Sequence, residues 1–205
     1  MSNYDGSHDF AHILRVLGLA RTLRAQDPSK YDLTTTTLAA LLHDVGDRKY
    51  LLPGQDSATA VQSLLLSLGA PAALAEKIQT IVSAVSYTSE IKDPAKVAHV
   101  IALYPELEVV QDADRLDAIG AVGIGRVFTY GGAHGGDTRG RSMVESVEHF
   151  VVKLERLEGM MKTEKGREMA RVRTERLVAF RREWEDELKE AEGGLVGLEG
   201  LVGGD

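Results

Sequence analysis

Apolar residues recur three and four positions apart through almost every long stretch of the chain, whereas alternation of period two is hard to find. The pattern predicts an all-α protein. Ser7 is placed to cap a first helix carrying Ile13, Val16, Leu17, Ala20 and Leu23, which fades near Asp27-Pro28 and holds His12 at the edge of its apolar stripe. A second helix opens in the Thr34 to Thr37 cluster, runs through Leu38, Leu41 and Leu42, and stops near Gly46, delivering His43 and Asp44 at its last turn. Pro53-Gly54 marks a loop over 47–56. Helices are expected at about 57–68, at about 71–87 behind Pro71, and from Asp93-Pro94 to about Leu103. Pro105 then restarts the chain into one long helix through Val109, Ala113, Leu116, Ile119 and Val122, carrying Asp112, Asp114 and Asp117. The glycine-rich stretch 131–140 reads as an exposed, mobile loop, and two charged helices follow at about 142–161 and 164–191. No repeat or linker divides the chain, so one domain over 1–192 is expected, with a glycine-rich tail over 193–205.

Composition narrows the chemistry. At 205 residues, 43% hydrophobic and 27% charged, the chain is long enough to bury a substantial core and has the mix of a globular protein. A net charge of -7 argues against a nucleic acid polymer as partner, because that affinity comes from clustered Lys and Arg. A phosphorylated substrate therefore needs a local cation. With no cysteine present, a metal must be held by His and carboxylates, a donor set suited to Mn, Ni, Co, Mg, Fe or Zn. No apolar run is long enough to cross a membrane and the first ten residues do not read as a signal peptide, so the expectation is a cytoplasmic protein with no membrane partner.

The sharpest local feature is His43-Asp44, where a leucine-rich helix meets a loop. A buried imidazole beside a buried carboxylate needs partners, and a divalent cation would supply one. Taken alone, the pair also reads as a core histidine beside a helix-end acceptor. It is not alone, since His12 stands upstream in His12-Ile13-Leu14-Arg15-Val16 and Asp114 downstream in Asp112-Ala113-Asp114-Arg115-Leu116-Asp117-Ala118. On a helix at about 100° per residue Asp112 and Asp114 diverge, while Asp114 and Asp117 share a face, so only one of the first two can reach a common site.

The ordered H...HD...D pattern resembles the HD superfamily of metal-dependent phosphohydrolases. The stretch Val110 to Gly120, the opening Ser7-His8-Asp9 and Tyr130-Gly131-Gly132 resemble its short, single-domain YedJ/YpgQ-type branch. The resemblance implies an HD-domain helical bundle in which His12, His43, Asp44 and Asp114 hold one divalent metal ion, manganese favoured. The Ala-Asp-Arg-Leu frame selects Asp114, leaving Asp117 as a candidate to support the ligands. Asp47, three residues after Asp44, matches the position of an acidic residue that orients or deprotonates the attacking water in related enzymes. Lys49 and Arg48 are the expected clamps for substrate phosphates, Lys49 being the better match to the family and counted with Asp47 as catalytic. His8, Arg126 and Tyr130 are further expected substrate contacts. Arg15 is expected to meet a carboxylate such as Asp44 or Asp114, and His134 and His149 to lie at the surface.

The function implied is hydrolysis of a nucleotide or related phosphorylated small molecule, with cleavage of a nucleoside triphosphate to a monophosphate and pyrophosphate favoured. Dephosphorylation of nucleoside monophosphates is the alternative. A two-iron HD-type oxygenase needs further histidines between Asp44 and Asp114, where only His99 occurs, in an apolar stretch that reads as core. A non-catalytic nucleotide-binding module fits less well, because all four ligands and Asp47 are present. Association into a homo-oligomer is left open.

Overall fold

The computed structural model describes residues 9–46, 56–134 and 141–194, and among these every regular element is helical. The first helix, α1 (Phe10–Arg24), is capped by Asp9, not Ser7, since the Asp9 side chain accepts from the His12 backbone N–H at 3.0 Å. Its buried residues His12, Ile13, Val16, Ala20 and Leu23 follow the three-four spacing, so His12 belongs to the core face. Asp32 caps α2 (Leu33–Leu42) by accepting from the backbone N–H and hydroxyl of Thr35, both at 2.7 Å. His43 is the C-cap of α2, and Asp44 follows in the turn that ends at Gly46.

Three expected helices are interrupted. The stretch anticipated as one helix over 71–87 is α4 (Ala72–Val82), following α3 (Ala60–Ser67), and then a separate α5 (Tyr87–Lys92). The break has a local cause: Ser83 folds its hydroxyl back onto the Gln79 carbonyl, and Ser86 caps the new helix through the Ser89 N–H. After α6 (Pro94–Leu103), the helix expected to run from Pro105 past Val122 divides into α7 (Glu106–Asp117) and α8 (Gly120–His134). Gly120, at φ 72°, makes this turn. The glycine-rich stretch expected as a loop begins inside α8, with Gly131 buried against Ser146, and its residues 135–140 lie outside the described residues. The next helix, α9 (Met143–Val152), gives way to 3-10 turns at Leu154–Arg156 and Glu158–Met160 before α10 (Glu164–Gly194). Among the described residues, no helix is long and apolar enough to cross a membrane.

α7 is the axis of the fold, packed by α1, α2, α4, α6, α8 and α10. Ten of its residues are buried, although Glu, Gln, Asp and Arg are among them. Each such residue reaches a partner outside α7, although Glu106 Oε2, Gln111 Oε1 and Arg115 Nε are buried without a hydrogen bond among the described residues. The Glu106 carboxylate accepts from the Asp32 N–H at 3.2 Å and from Lys77 at 3.2 Å. Gln111 donates to the Ala84 carbonyl at 2.8 Å. Asp112 accepts from the Lys162 N–H (2.8 Å), the Thr163 N–H (2.7 Å) and the Thr163 hydroxyl (2.7 Å), tying the start of α10 to α7. Arg115 reaches Glu90 on α5 and the Met160 carbonyl. Beyond this layer Phe128, Phe150, Phe180 and Trp184 stack α8, α9 and α10 together, with ring centroids 6.0 to 6.5 Å apart.

Candidate metal centre

α1 packs against both α2 and α7, and this contact carries the three segments of the H...HD...D pattern to one point. His12 Nε2 lies 3.2 Å from His43 Nε2. The Asp44 carboxylate spans the pair, with Oδ2 3.4 Å from His12 Nε2 and Oδ1 3.4 Å from His43 Nε2. One donor atom from each of these three residues falls within 4.8 Å of the others. Asp114 Oδ1 stands a little further out, 3.7 Å from His12 Nε2 and 3.8 Å from His43 Nε2. Both imidazoles are 1% exposed, whereas Asp44 is 17% and Asp114 29% exposed, so the cluster is closed on the histidine side and open on the carboxylate side.

Hydrogen bonds at the far nitrogens orient both rings. His43 Nδ1 lies 2.8 Å from the Ala40 carbonyl, an acceptor only, so Nδ1 carries the hydrogen and Nε2 of the neutral ring presents its lone pair. His12 Nδ1 lies 2.8 Å from Asp117 Oδ2, with the same consequence. Two lone pairs and two carboxylates facing one point repel unless a positive charge lies among them. Burial opposes charging His12, yet Asp117, Asp44 and Asp114 raise its pKa above 6.5, so the surroundings favour positive charge at this point. A divalent cation suits the same point better, because borderline imidazole nitrogens and hard carboxylate oxygens are the mixed donor set that first-row metals accept. The donors therefore fit the expected ion.

Asp117 lies behind His12. It is buried, and besides His12 it accepts from Arg15 Nε at 2.7 Å, Arg15 NH2 at 3.1 Å and Arg126 NH1 at 3.0 Å. Burial alone would raise its pKa, but His12 and the two guanidinium groups hold it well below the ordinary carboxylate range. One expectation changes here, and a second residue gains a partner. Arg15 meets Asp117, not Asp44 or Asp114, because Asp117 lies on the Nδ1 side of the ring, facing α1. Arg126, expected as a substrate contact, gives its NH1 to Asp117.

Tyr130, one turn after Arg126 on α8, is half-buried with the Arg141 guanidinium 5.9 Å from its ring centre. His99 is exposed on α6 and is not a core residue. His149, expected at the surface, is half-buried, with its pKa lowered to about 4 by burial and then by Lys153 and Arg141. His8, Asp47, Arg48 and Lys49 lie outside the described residues, as does the side chain of His134. Sequence reasoning gave Arg126 no structural partner, since a contact made by a helix break carries no periodic signal.

Comparison with known proteins places this geometry in context. A family model described as the HD domain matches residues 9–119, the span containing all four converging residues. The uncharacterized protein YpgQ of Bacillus subtilis is 35% identical over 188 residues, which cover 92% of this chain and 88% of that protein. The crystal structure of Bacillus subtilis YpgQ in complex with ADP superposes with a TM-score of 0.68 at 34% identity, covering 88% of this chain and 90% of that one. An HD-superfamily hydrolase from Bacillus thuringiensis superposes with a TM-score of 0.63 at 31% identity, covering 89% and 87%.

Proposed function

Because the chain belongs to the HD-domain family, we propose that it is a metal-dependent phosphohydrolase acting on nucleotides, cleaving a nucleoside triphosphate to the monophosphate and pyrophosphate. The observation that carries the reading is the approach of His12 Nε2 and His43 Nε2 to 3.2 Å, with Asp44 within 3.4 Å of both and Asp114 within 3.8 Å. His12, His43, Asp44 and Asp114 would hold the ion, with manganese favoured. When bound, such an ion polarises a phosphoryl oxygen and lowers the pKa of water towards neutrality. The nucleotide assignment is supported by ADP in the structure of the similar YpgQ.

In this reading each residue has a separate task. The exposed edges of Asp44 and Asp114 form the side from which substrate enters. Asp47 takes the proton of the attacking water, water oxygen bonds to phosphorus, and the bond from phosphorus to the bridging oxygen breaks, releasing pyrophosphate. Lys49 and Arg48 neutralise the phosphates, which an acidic protein must do locally, while His8 and Tyr130 line the rim.

Phosphorus NMR of products from a panel of nucleoside tri-, di- and monophosphates, with manganese and magnesium compared, tests the assignment. Pyrophosphate and a monophosphate from a triphosphate are expected. Inorganic phosphate from monophosphates alone would replace the reading with a nucleotide phosphatase, and no turnover by a protein that binds nucleotide and metal would indicate a binding module. Asp47→Asn is expected to keep metal affinity and lose most turnover.

A further inference from the structure

His12 has two nitrogens and only one can serve the metal site, so something must decide which. We propose that Asp117, clamped by Arg15 and Arg126, is a positioning residue that fixes His12 with Nε2 turned to the site. The inference deepens the proposed function and rests on that reading for the identity of the site, although its geometry is independent of any ion. Asp117 Oδ2 lies 2.8 Å from His12 Nδ1, and on the opposite edge of the same ring Nε2 faces His43, Asp44 and Asp114. A carboxylate at Nδ1 accepts the N–H, excludes the alternative tautomer, and makes Nε2 the better donor.

The arginines set the carboxylate in turn. Arg15 comes from the same helix as His12, three residues on, and takes Oδ1 with Nε and Oδ2 with NH2 in a fork. Arg126 comes from α8 and takes Oδ2 at 3.0 Å, the oxygen that also receives His12. Together they fix the carboxylate plane from two helices. Arg126 is thereby assigned to the support of His12 through Asp117.

Manganese affinity is the first readout, measured on the full-length chain for the wild type, Asp117→Asn and Arg126→Gln. Loss of an outer partner to a ligating histidine typically lowers metal affinity about ten- to a hundredfold, and that range is expected for Asp117→Asn, with a smaller loss in the same direction for Arg126→Gln. The second readout is proton NMR of the metal-free protein. A slowly exchanging, downfield imidazole N–H, identified by its absence in His12→Gln, should move upfield in Asp117→Asn. Wild-type affinity and an unmoved N–H signal in Asp117→Asn would overturn the proposal. So would an Arg126→Gln protein that binds manganese normally but has a raised KM for nucleotide, because Arg126 would then be a substrate contact. Should Asp117→Asn fail to fold, Arg126→Gln, altered at the side chain that is 14% exposed, carries both measurements. A wild type that binds no metal yet shows the predicted N–H shift would defeat the proposed function and leave the positioning of His12 standing.

Discussion

Asp114 and Asp117, one turn apart on α7, bracket a single imidazole: Asp114 Oδ1 lies 3.7 Å from Nε2 of His12 and Asp117 Oδ2 lies 2.8 Å from its Nδ1. The spacing of three residues puts both carboxylates on the face of α7 that meets α1. Their exposures differ, at 29% for Asp114 and 2% for Asp117, so one is open to exchange with solvent and the other is not.

That difference orders the effects of removing ligands. His43→Ala and Asp44→Ala are expected to abolish measurable manganese binding, while Asp114→Ala, which deletes the most exposed and most distant donor, should retain weak binding. Thermal unfolding checks this. Metal at a hundred times its Kd should stabilise the wild type by about 2.7 kcal/mol, raising Tm by roughly 5 to 10 °C for a chain of this size. The His43→Ala protein should show no shift, and EDTA should return the wild type to its metal-free Tm. A shift in His43→Ala equal to that of the wild type would place the ion elsewhere.

Gly120 makes the contact between Asp117 and Arg126 possible. On an uninterrupted helix nine residues span about 13.5 Å and half a turn, which would send the two side chains to opposite faces. The reversal at Gly120 folds α8 back, and Arg173 from α10 fills the space where a Cβ would lie while donating to the Leu116 carbonyl. Gly120→Ala therefore combines a left-handed backbone strain of about 1 to 2 kcal/mol with a tight contact against the Arg173 side chain, which must give slightly. Urea denaturation should show a loss of at least that size, together with a weaker manganese affinity. An unchanged midpoint would mean that the turn relaxes freely.

How far the sequence could be read follows from which residues act through period and which through contact. The convergence of His12, His43, Asp44 and Asp114 was legible because they stand in a recognisable order, and their helices have clear apolar stripes. The breaks at Val82 and Gly120 were not, because Ser83, Ser86 and Gly120 interrupt stretches whose apolar spacing continues on both sides. Asp112, Asp114 and Asp117 looked alike in sequence, yet they serve three directions: the start of α10, the open site and the back of His12. Only the tertiary neighbours of α7 distinguish them.

Asp112 should prove to be a stability residue. Its carboxylate is fully buried and receives two backbone N–H groups and one hydroxyl from Lys162 and Thr163; Gly166 leaves it room, since a Cβ there would overlap the carboxylate. Asp112→Ala strands those donors, at roughly 1 to 3 kcal/mol for each that stays buried. Denaturant unfolding should show a loss of about 3 kcal/mol or more, while any protein still folded at low temperature keeps its manganese affinity. Loss of metal affinity without loss of stability would return Asp112 to the site.

Lys49 is expected to act on substrate charge. Lys49→Ala should raise KM for a nucleoside triphosphate about tenfold or more, the equivalent of one lost charge-assisted hydrogen bond, and affect a monophosphate less. Steady-state kinetics on both substrates decides the matter. Equal losses would confine Lys49 to the reacting phosphate and favour a monophosphate phosphatase.

His149 should make the protein sensitive to mild acid at a place unconnected with the ligands. Burial, with Lys153 and Arg141 adding like charge, lowers its pKa from 6.5 to about 4. Above the unfolded value the ring is neutral in both states and contributes nothing. As pH falls from about 6.5 towards 4, the unfolded chain takes up a proton that the folded protein refuses, so stability declines through that window and levels off below it. His149→Gln removes this difference. Urea midpoints at pH 7 and pH 5 should therefore fall further for the wild type than for the variant, by an amount on the order of 1 kcal/mol given the partial exposure of the ring. Other titrating groups are common to both proteins and cancel in the comparison. Parallel declines would mean that His149 protonates freely in the folded state and that Lys153 and Arg141 do not oppose it.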